Sequence, residues 1–340
     1  MNGSAACPQP PLLSDSQGRC LRYLRLSVTD RCNLRCAYCA QALDMKFIPH
    51  AHILRYEELL DAASLFVSQG IRKIRLTGGE PFVRKDFVPF LATLRERHPD
   101  IELRLTTNGT LLTPHIPALR DVRLNAVTIS LDTLRRERFA EITGADLLPA
   151  VRHAVDAALA AGLRVKVNTV ALRGVNDDEL SDFLALAASL PIDLRFIEFM
   201  PMPSRFPWSA AKFWAARDIL AEAERHAHLV PLPPEAAESG AGPARLYAIA
   251  GGLGRIGIIA PLSHKFCASC NRLRLTAEGR LRTCLFAARD YPLRGILRHP
   301  RLGLPMLRHI LPALLRRKPA GHDLAAFGNR NTQPMSAIGG

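Results

Sequence analysis

Three cysteines fall within eight residues, Cys32-Asn33-Leu34-Arg35-Cys36-Ala37-Tyr38-Cys39, in the spacing C-x3-C-x2-C. The number three is the constraint. A structural zinc site closes its shell with four protein ligands, whereas a cubane iron–sulfur cluster held by three cysteines keeps one iron open to a small molecule. The chemistry of the chain is placed at that open iron. The competing readings are a zinc knuckle and a chance grouping of thiols.

The rest of the composition suits such a site. With 340 residues the chain is long enough for one large α/β domain, or a domain with an appendage. At 48% apolar, 22% charged and 6% aromatic residues it reads as an ordinary globular protein. Neither a bilayer-spanning apolar run nor a secretory signal is present, so a cytoplasmic location is expected, with no membrane partner. Of eight cysteines, six lie in two tight triplets, which need thiolates kept from oxidation; a reducing compartment agrees. Cys7 and Cys20 are expected to be free thiols. The net charge of +14 collects late, in Arg294, Arg298, Arg301, Arg308, Arg316, Arg317 and Lys318. These interleave with leucines at helical spacing, so a solvated helix face is preferred to a nucleic-acid surface.

Residues 1–20, rich in proline, serine and glycine, read as a mobile leader too poor in arginine for a transit peptide. Leu24, Leu26 and Val28 then alternate with Arg25 and Ser27, a strand leading into the cysteine loop. Helices are expected over 56–69, 87–97, 148–161 and 177–189. Strands are expected over 73–77, 102–106, 125–130, 164–170 and 193–199. Such alternation predicts an α/β fold, an incomplete (β/α)6 TIM-like barrel, over residues 21–230. From Pro201 the rhythm breaks. Residues 231–320 are expected to form a C-terminal region with short strands and a hairpin turned at Glu278-Gly279, and residues 321–340 an irregular tail.

Polar residues gather at C-terminal strand ends, where a barrel places its site: Thr77-Gly78-Gly79-Glu80, Thr106-Thr107-Asn108, Ser130-Leu131-Asp132, Asn168, and Glu198 to Met200. A second triplet, Cys267, Cys270 and Cys284, again lacks a fourth thiol, His264 being the nearby candidate for a zinc site. The preferred reading is a second open cluster, facing the first. Arg272 and Arg274 alternate along the strand that follows, so their guanidiniums share a face and suit a phosphorylated or purine substrate; surface arginines are the plainer alternative.

The first triplet, with Tyr38 before its last cysteine, resembles the signature of the radical S-adenosylmethionine (SAM) enzymes. Both triplets resemble more narrowly the GTP 3′,8-cyclase family of molybdenum cofactor biosynthesis. So do Leu24 to Arg31, Thr77-Gly78-Gly79-Glu80-Pro81, Thr106-Thr107-Asn108-Gly109, Ser130-Leu131-Asp132, Arg195 to Met200 and the terminal Gly339-Gly340. The likeness runs from about residue 20 to the end. It departs after Cys39, where the family has Met-Pro and this chain has Ala40-Gln41. The rivals are a peptide-modifying radical SAM maturase with an auxiliary cluster, and a zinc-stabilised basic nucleic-acid binder.

What the resemblance implies is a lyase that cleaves SAM reductively to a 5′-deoxyadenosyl radical and converts GTP to (8S)-3′,8-cyclo-7,8-dihydroguanosine 5′-triphosphate. It implies two [4Fe-4S] clusters, on Cys32, Cys36 and Cys39 and on Cys267, Cys270 and Cys284. Tyr38, Gly79, Ser130 and Met200 are implied for SAM. Arg25, Arg75, Thr106, Lys166, Arg272, Leu273 and Arg274 are implied for GTP, Arg272 and Arg274 also for catalysis, and the Gly-Gly tail for the active site. Implied partners are a reductant such as flavodoxin or ferredoxin and the downstream cyclic pyranopterin monophosphate synthase. A nucleic acid is not among them, and a homodimer is left open.

Overall fold

The computed structural model describes residues 13–39, 47–233, 243–287, 289–322 and 335–339. The Ala40-Gln41 departure, Cys7 and Gly340 lie outside them. In chain order the elements are β1 (Tyr23–Ser27), α1 (Tyr56–Ser68), β2 (Lys73–Thr77), α2 (Phe87–Arg97), β3 (Glu102–Thr107), α3 (Ile116–Asp121), β4 (Ala126–Ser130), α4 (Arg136–Thr143), α5 (Leu148–Ala160), β5 (Val165–Ala171), α6 (Leu180–Ser189) and β6 (Asp193–Glu198). There follow α7 (Ala216–His226), β7 (Leu229–Pro231), β8 (Ala244–Ile249), β9 (Arg255–Ile259), β10 (Arg272–Leu275), β11 (Arg280–Arg282), β12 (Tyr291–Pro292), α8 (Arg294–Leu297), α9 (Gly303–Leu315) and α10 (Met335–Ile338). The chain forms two compact units, Met1–Arg31 with Lys46–Arg104 and Cys267–Gly340, and Cys32–Met45 with Leu105–Phe266.

In the first unit β1 lies between β2 and β10, parallel to both. Leu24 and Leu26 are fully buried on one face of β1, so Tyr23, Arg25 and Ser27 share the other. The register sets Arg25 opposite Arg75 on β2 and Arg274 on β10, and Tyr23 opposite Lys73 and Arg272. Helix α1 starts where Glu58 accepts the Arg55 backbone N–H at 2.7 Å, with Glu57 and Glu58 complementing the positive end of the helix dipole. It buries Leu59, Ala62, Ala63 and Phe66, a stripe at helical spacing. The β10–β11 hairpin turns at Gly279, which takes φ +80°.

In the second unit β4, β5 and β6 run parallel, β9 continues parallel to β6, and β8 and β7 follow antiparallel. Phe183 of α6 packs edge-on against Phe196 of β6, ring centroids 5.8 Å apart, which seals helix to sheet.

Several expectations are corrected. Residues 13–20 of the expected leader are folded: Leu13 is buried, Leu21 N–H reaches its carbonyl at 2.8 Å, and Asp15 pairs with Arg19 at 2.6 Å. Cys20 is disulfide-bonded, not a free thiol, and its backbone bridges to Ser14 across this turn. Arg301, Arg308, Arg316 and Arg317 are exposed as expected, but Arg298 pairs with Glu58 and Lys318 is 3% exposed. Residues 335–339 of the tail are ordered, with Ile338 fully buried. Among the described residues no helix is long and apolar enough to cross a membrane.

Candidate functional site

In the second unit, main-chain bonds pin the first cysteine loop. Arg35 N–H reaches the Thr143 carbonyl and Ala37 N–H the Ile142 carbonyl, both at 2.8 Å, where α4 ends. Around Cys32 the Leu34 N–H and the Asn108 amide approach the sulfur at 3.4 and 3.6 Å. Asn108 also donates to Asn33 at 2.9 Å, which ties the loop to the end of β3. The Tyr38 hydroxyl donates to Asp132, whose other oxygen accepts the Val170 N–H at 2.8 Å. Burial raises the Cys36 thiol well above its ordinary pKa, and Asp132, Cys39 and Cys32 push the same way. Three thiols that hinder one another's ionisation call for a cationic centre.

None of the six triplet cysteines is in a disulfide. Among the described residues no three His, Cys, Asp or Glu side chains are arranged to hold one metal ion. His264 instead lies 3.5 Å from Arg245. Three thiols close enough for Cys32 and Cys39 to act on Cys36 fit a cluster, which spreads its ligands over separate irons. On the neighbouring strands Ser130 ends β4 opposite Asn168 of β5, and the Asn168 Oδ1 is buried with no hydrogen-bond partner among the described residues. An orphaned acceptor beside Ser130 fits a ligand that brings a donor. Thr106 and Met200 are half-buried at the ends of β3 and β6. Lys166 is buried against Asp193 at 3.1 Å, a carboxylate that Arg164, Arg195 and Arg255 also reach. Glu198 is an anchor: it accepts the backbone N–H of Ala216 and Leu262 at 2.9 Å and of Ser263 at 3.0 Å.

In the first unit Gly79 lets the chain come close. Its N–H meets the Thr29 carbonyl at 2.8 Å, and a Cβ there would stand 2.2 Å from the Arg31 carbonyl oxygen. The arginines gather on one sheet face. Arg75 Nε donates to the Tyr23 hydroxyl at 2.6 Å. Arg274 and Arg25 donate to the Gly339 carbonyl at 2.6 and 3.3 Å. Burial, then Arg25 and Arg272, lower the Arg274 pKa well below the usual guanidinium range. Leu273 is fully buried opposite Leu24, on the apolar face, which leaves its backbone as the part that could meet a substrate.

The second triplet lies at the start of β10 and after β11. Lys318 donates to the Cys270 sulfur at 3.7 Å, to the Arg272 carbonyl at 2.9 Å and to the Thr283 carbonyl. Burial would raise the Cys270 thiol, but Lys318 and Arg272 outweigh it and lower its pKa; Cys284 is raised by burial. Arg19 braces the same loop through the Cys267 carbonyl at 2.7 Å. Sequence reasoning missed Tyr23, Lys318 and Asp193. Tyr23 extends the Arg25–Ser27 alternation by one step, and that was the available signal for it; Lys318 merely ends a basic run.

A model of the Radical SAM superfamily matches residues 26–187, and one described as Molybdenum Cofactor Synthesis C matches residues 192–324. The chain is 42% identical to a GTP 3′,8-cyclase of Heliobacterium modesticaldum over 96% of its own length and 99% of that protein. It is 44% identical to the GTP 3′,8-cyclase of Rhodobacter capsulatus, over 94% of each. Among solved structures it is similar in fold to Streptococcus suis SuiB bound to S-adenosylmethionine, with TM-score 0.62, 13% identity, and coverage of 88% of this chain and 69% of that one.

Proposed function

The chain belongs to the GTP 3′,8-cyclases, radical SAM enzymes of molybdenum cofactor biosynthesis, and from that premise we propose how its own residues divide the work. The enzyme carries out the first step of the pathway with two [4Fe-4S] clusters and SAM. When bound, the first cluster supplies the electron that cleaves SAM to methionine and a 5′-deoxyadenosyl radical.

Cys32, Cys36 and Cys39 hold that cluster, with the Asn108 amide and the Leu34 N–H placed to stabilise the Cys32 thiolate. Tyr38, Gly79, Ser130 and Met200 hold SAM, joined by the open acceptor of Asn168. Cys267, Cys270 and Cys284 hold the second cluster, braced by Lys318. Arg25, Arg75, Arg272 and Arg274, with Thr106, Lys166 and the Leu273 backbone, hold GTP. Holding the nucleotide rigidly keeps its ribose in one orientation for hydrogen removal and excludes water from the radical.

One observation carries this reading: Arg25, Arg75 and Arg274 stand in register on adjacent strands, with Arg272 a step behind. Gathering buried guanidiniums costs Coulomb and desolvation energy, and a triphosphate offsets that cost with bidentate, charge-assisted hydrogen bonds. A reductant such as flavodoxin or ferredoxin, delivery to a cyclic pyranopterin monophosphate synthase, a homodimer and a cytoplasmic location belong to the same proposal. So does the division into a barrel over 21–230 and a cluster-binding region over 231–320. The test is Arg272→Ala and Arg274→Ala in the reconstituted enzyme. Loss of GTP turnover with 5′-deoxyadenosine formation retained supports the assignment; equal loss of both overturns it.

A further inference from the structure

A phenol shares the buried corner where these guanidiniums meet. Tyr23 is 6% exposed and opens β1, opposite Lys73 of β2 and Arg272 of β10. Its oxygen accepts from Arg75 at 2.6 Å and also takes a hydrogen bond from Arg25. Lys73 lies 5.6 Å from its ring centroid, and Arg274 follows Arg272 along β10. From β3 the corner receives Glu102, already engaged by Lys73 at 2.7 Å and by Arg104. Beyond Arg272 and Arg274 stand the Cys270 and Cys284 thiols. Burial opposes ionisation of the phenol, but Arg75, Arg25 and Arg272 outweigh it and bring its pKa down to about 7.

We propose that the Tyr23 phenol is the resident counter-anion of the arginine cluster: it aligns Arg25 and Arg75 in the absence of nucleotide, then takes up a proton and yields them to the triphosphate. The inference rests on the reading of these arginines as GTP contacts. One proton passes from solvent to the phenolate oxygen; no other bond is made or broken. Tyr23 is therefore a positioning residue. The sign follows from linkage. The free site carries phenolate above pH about 7, while the triphosphate, adding negative charge, returns the phenol to its neutral form. Binding thus consumes a proton, and GTP affinity falls as pH rises above neutrality, by at most about tenfold per unit.

The test is calorimetric titration of GTP into the oxidised, reconstituted holoenzyme without SAM, in two buffers of different ionisation enthalpy. At pH 8 the terminal phosphate of GTP has already lost its last proton, so uptake comes from the protein. Wild type is expected to take up close to one proton per GTP, and Tyr23→Phe almost none. Equal uptake in both proteins, or none in wild type, overturns the proposal. Should the variant not fold, wild type alone decides: uptake present at pH 8 and absent at pH 6 supports the role, and uptake independent of pH overturns it. Wild-type holoenzyme that binds no GTP at all defeats the underlying reading as well.

Discussion

Arg274 donates through its guanidinium to the main-chain oxygen of Gly339 at 2.6 Å, and Arg25 reaches the same oxygen at 3.3 Å. The chain end is thus bound to two proposed GTP contacts. Gly339 adopts φ +77°, and a Cβ there would stand 3.0 Å from Thr77 Cγ2 and 3.1 Å from Ser27 Cβ. Gly339→Ala combines left-handed strain with crowding, of order 1–3 kcal/mol, and should lift the terminus off both arginines. The expected result is a KM for GTP raised about tenfold, with SAM cleavage preserved. Steady-state kinetics with varied GTP checks it, and an unchanged KM makes the contact incidental.

Gly79→Ala should be far more damaging. The added methyl would meet the carbonyl oxygens of Arg31 at 2.2 Å and Asp30 at 2.8 Å, and backbone cannot swing aside as a side chain can. SAM binding, measured by equilibrium dialysis on the reconstituted protein, is expected to fall at least about tenfold, the effect of about 1.4 kcal/mol. Normal affinity would separate this turn from SAM.

Lys318 is the buried cation of the second triplet. Lys318→Met leaves the Arg272 and Thr283 carbonyls without their donor and removes positive charge from Cys270. Iron analysis after anaerobic reconstitution should give about eight irons per wild-type chain and about four in the variant. Eight in both would confine Lys318 to packing.

Asp193 predicts a pH dependence. Burial opposes its ionisation, but Lys166, Arg195 and Arg255 outweigh burial and hold its pKa at about 2. An unfolded aspartate titrates near 3.9, so its contribution, about 2–3 kcal/mol, is fully present above that value and is lost as pH falls towards about 2. Asp193→Asn should therefore lower the thermal midpoint at pH 7, with the gap to wild type narrowing in acid. A gap that persists undiminished down to pH 2 would contradict the charge account.

Local signals made much of the fold legible. The bounds of β2 and α2 could be read directly from apolar spacing, with Gly70 closing the helix before β2 and Asn108-Gly109 closing β3. The turn at Glu278-Gly279 was equally plain. Helix α4 escaped, since Arg136–Thr143 is mostly polar and buries Phe139, Ile142 and Thr143 alone. In the site, both cysteine triplets were evident from spacing. The Tyr23–Arg75 bond and the Lys318 contacts were not, because each depends on partners distant in sequence: β10 pairs with β1 rather than with a neighbour in the chain. Residues 13–20 show the same limit, their composition suggesting a loose leader while Asp15 and Arg19 tie it down.

The fate of the hydrogen on ribose C3′ tests the central claim most directly. Reduced, reconstituted enzyme would be given SAM and GTP carrying deuterium at C3′, and both nucleoside products analysed by mass spectrometry. The account predicts deuterium in 5′-deoxyadenosine together with 3′,8-cyclo-7,8-dihydro-GTP. Unlabelled 5′-deoxyadenosine with GTP left intact would contradict it.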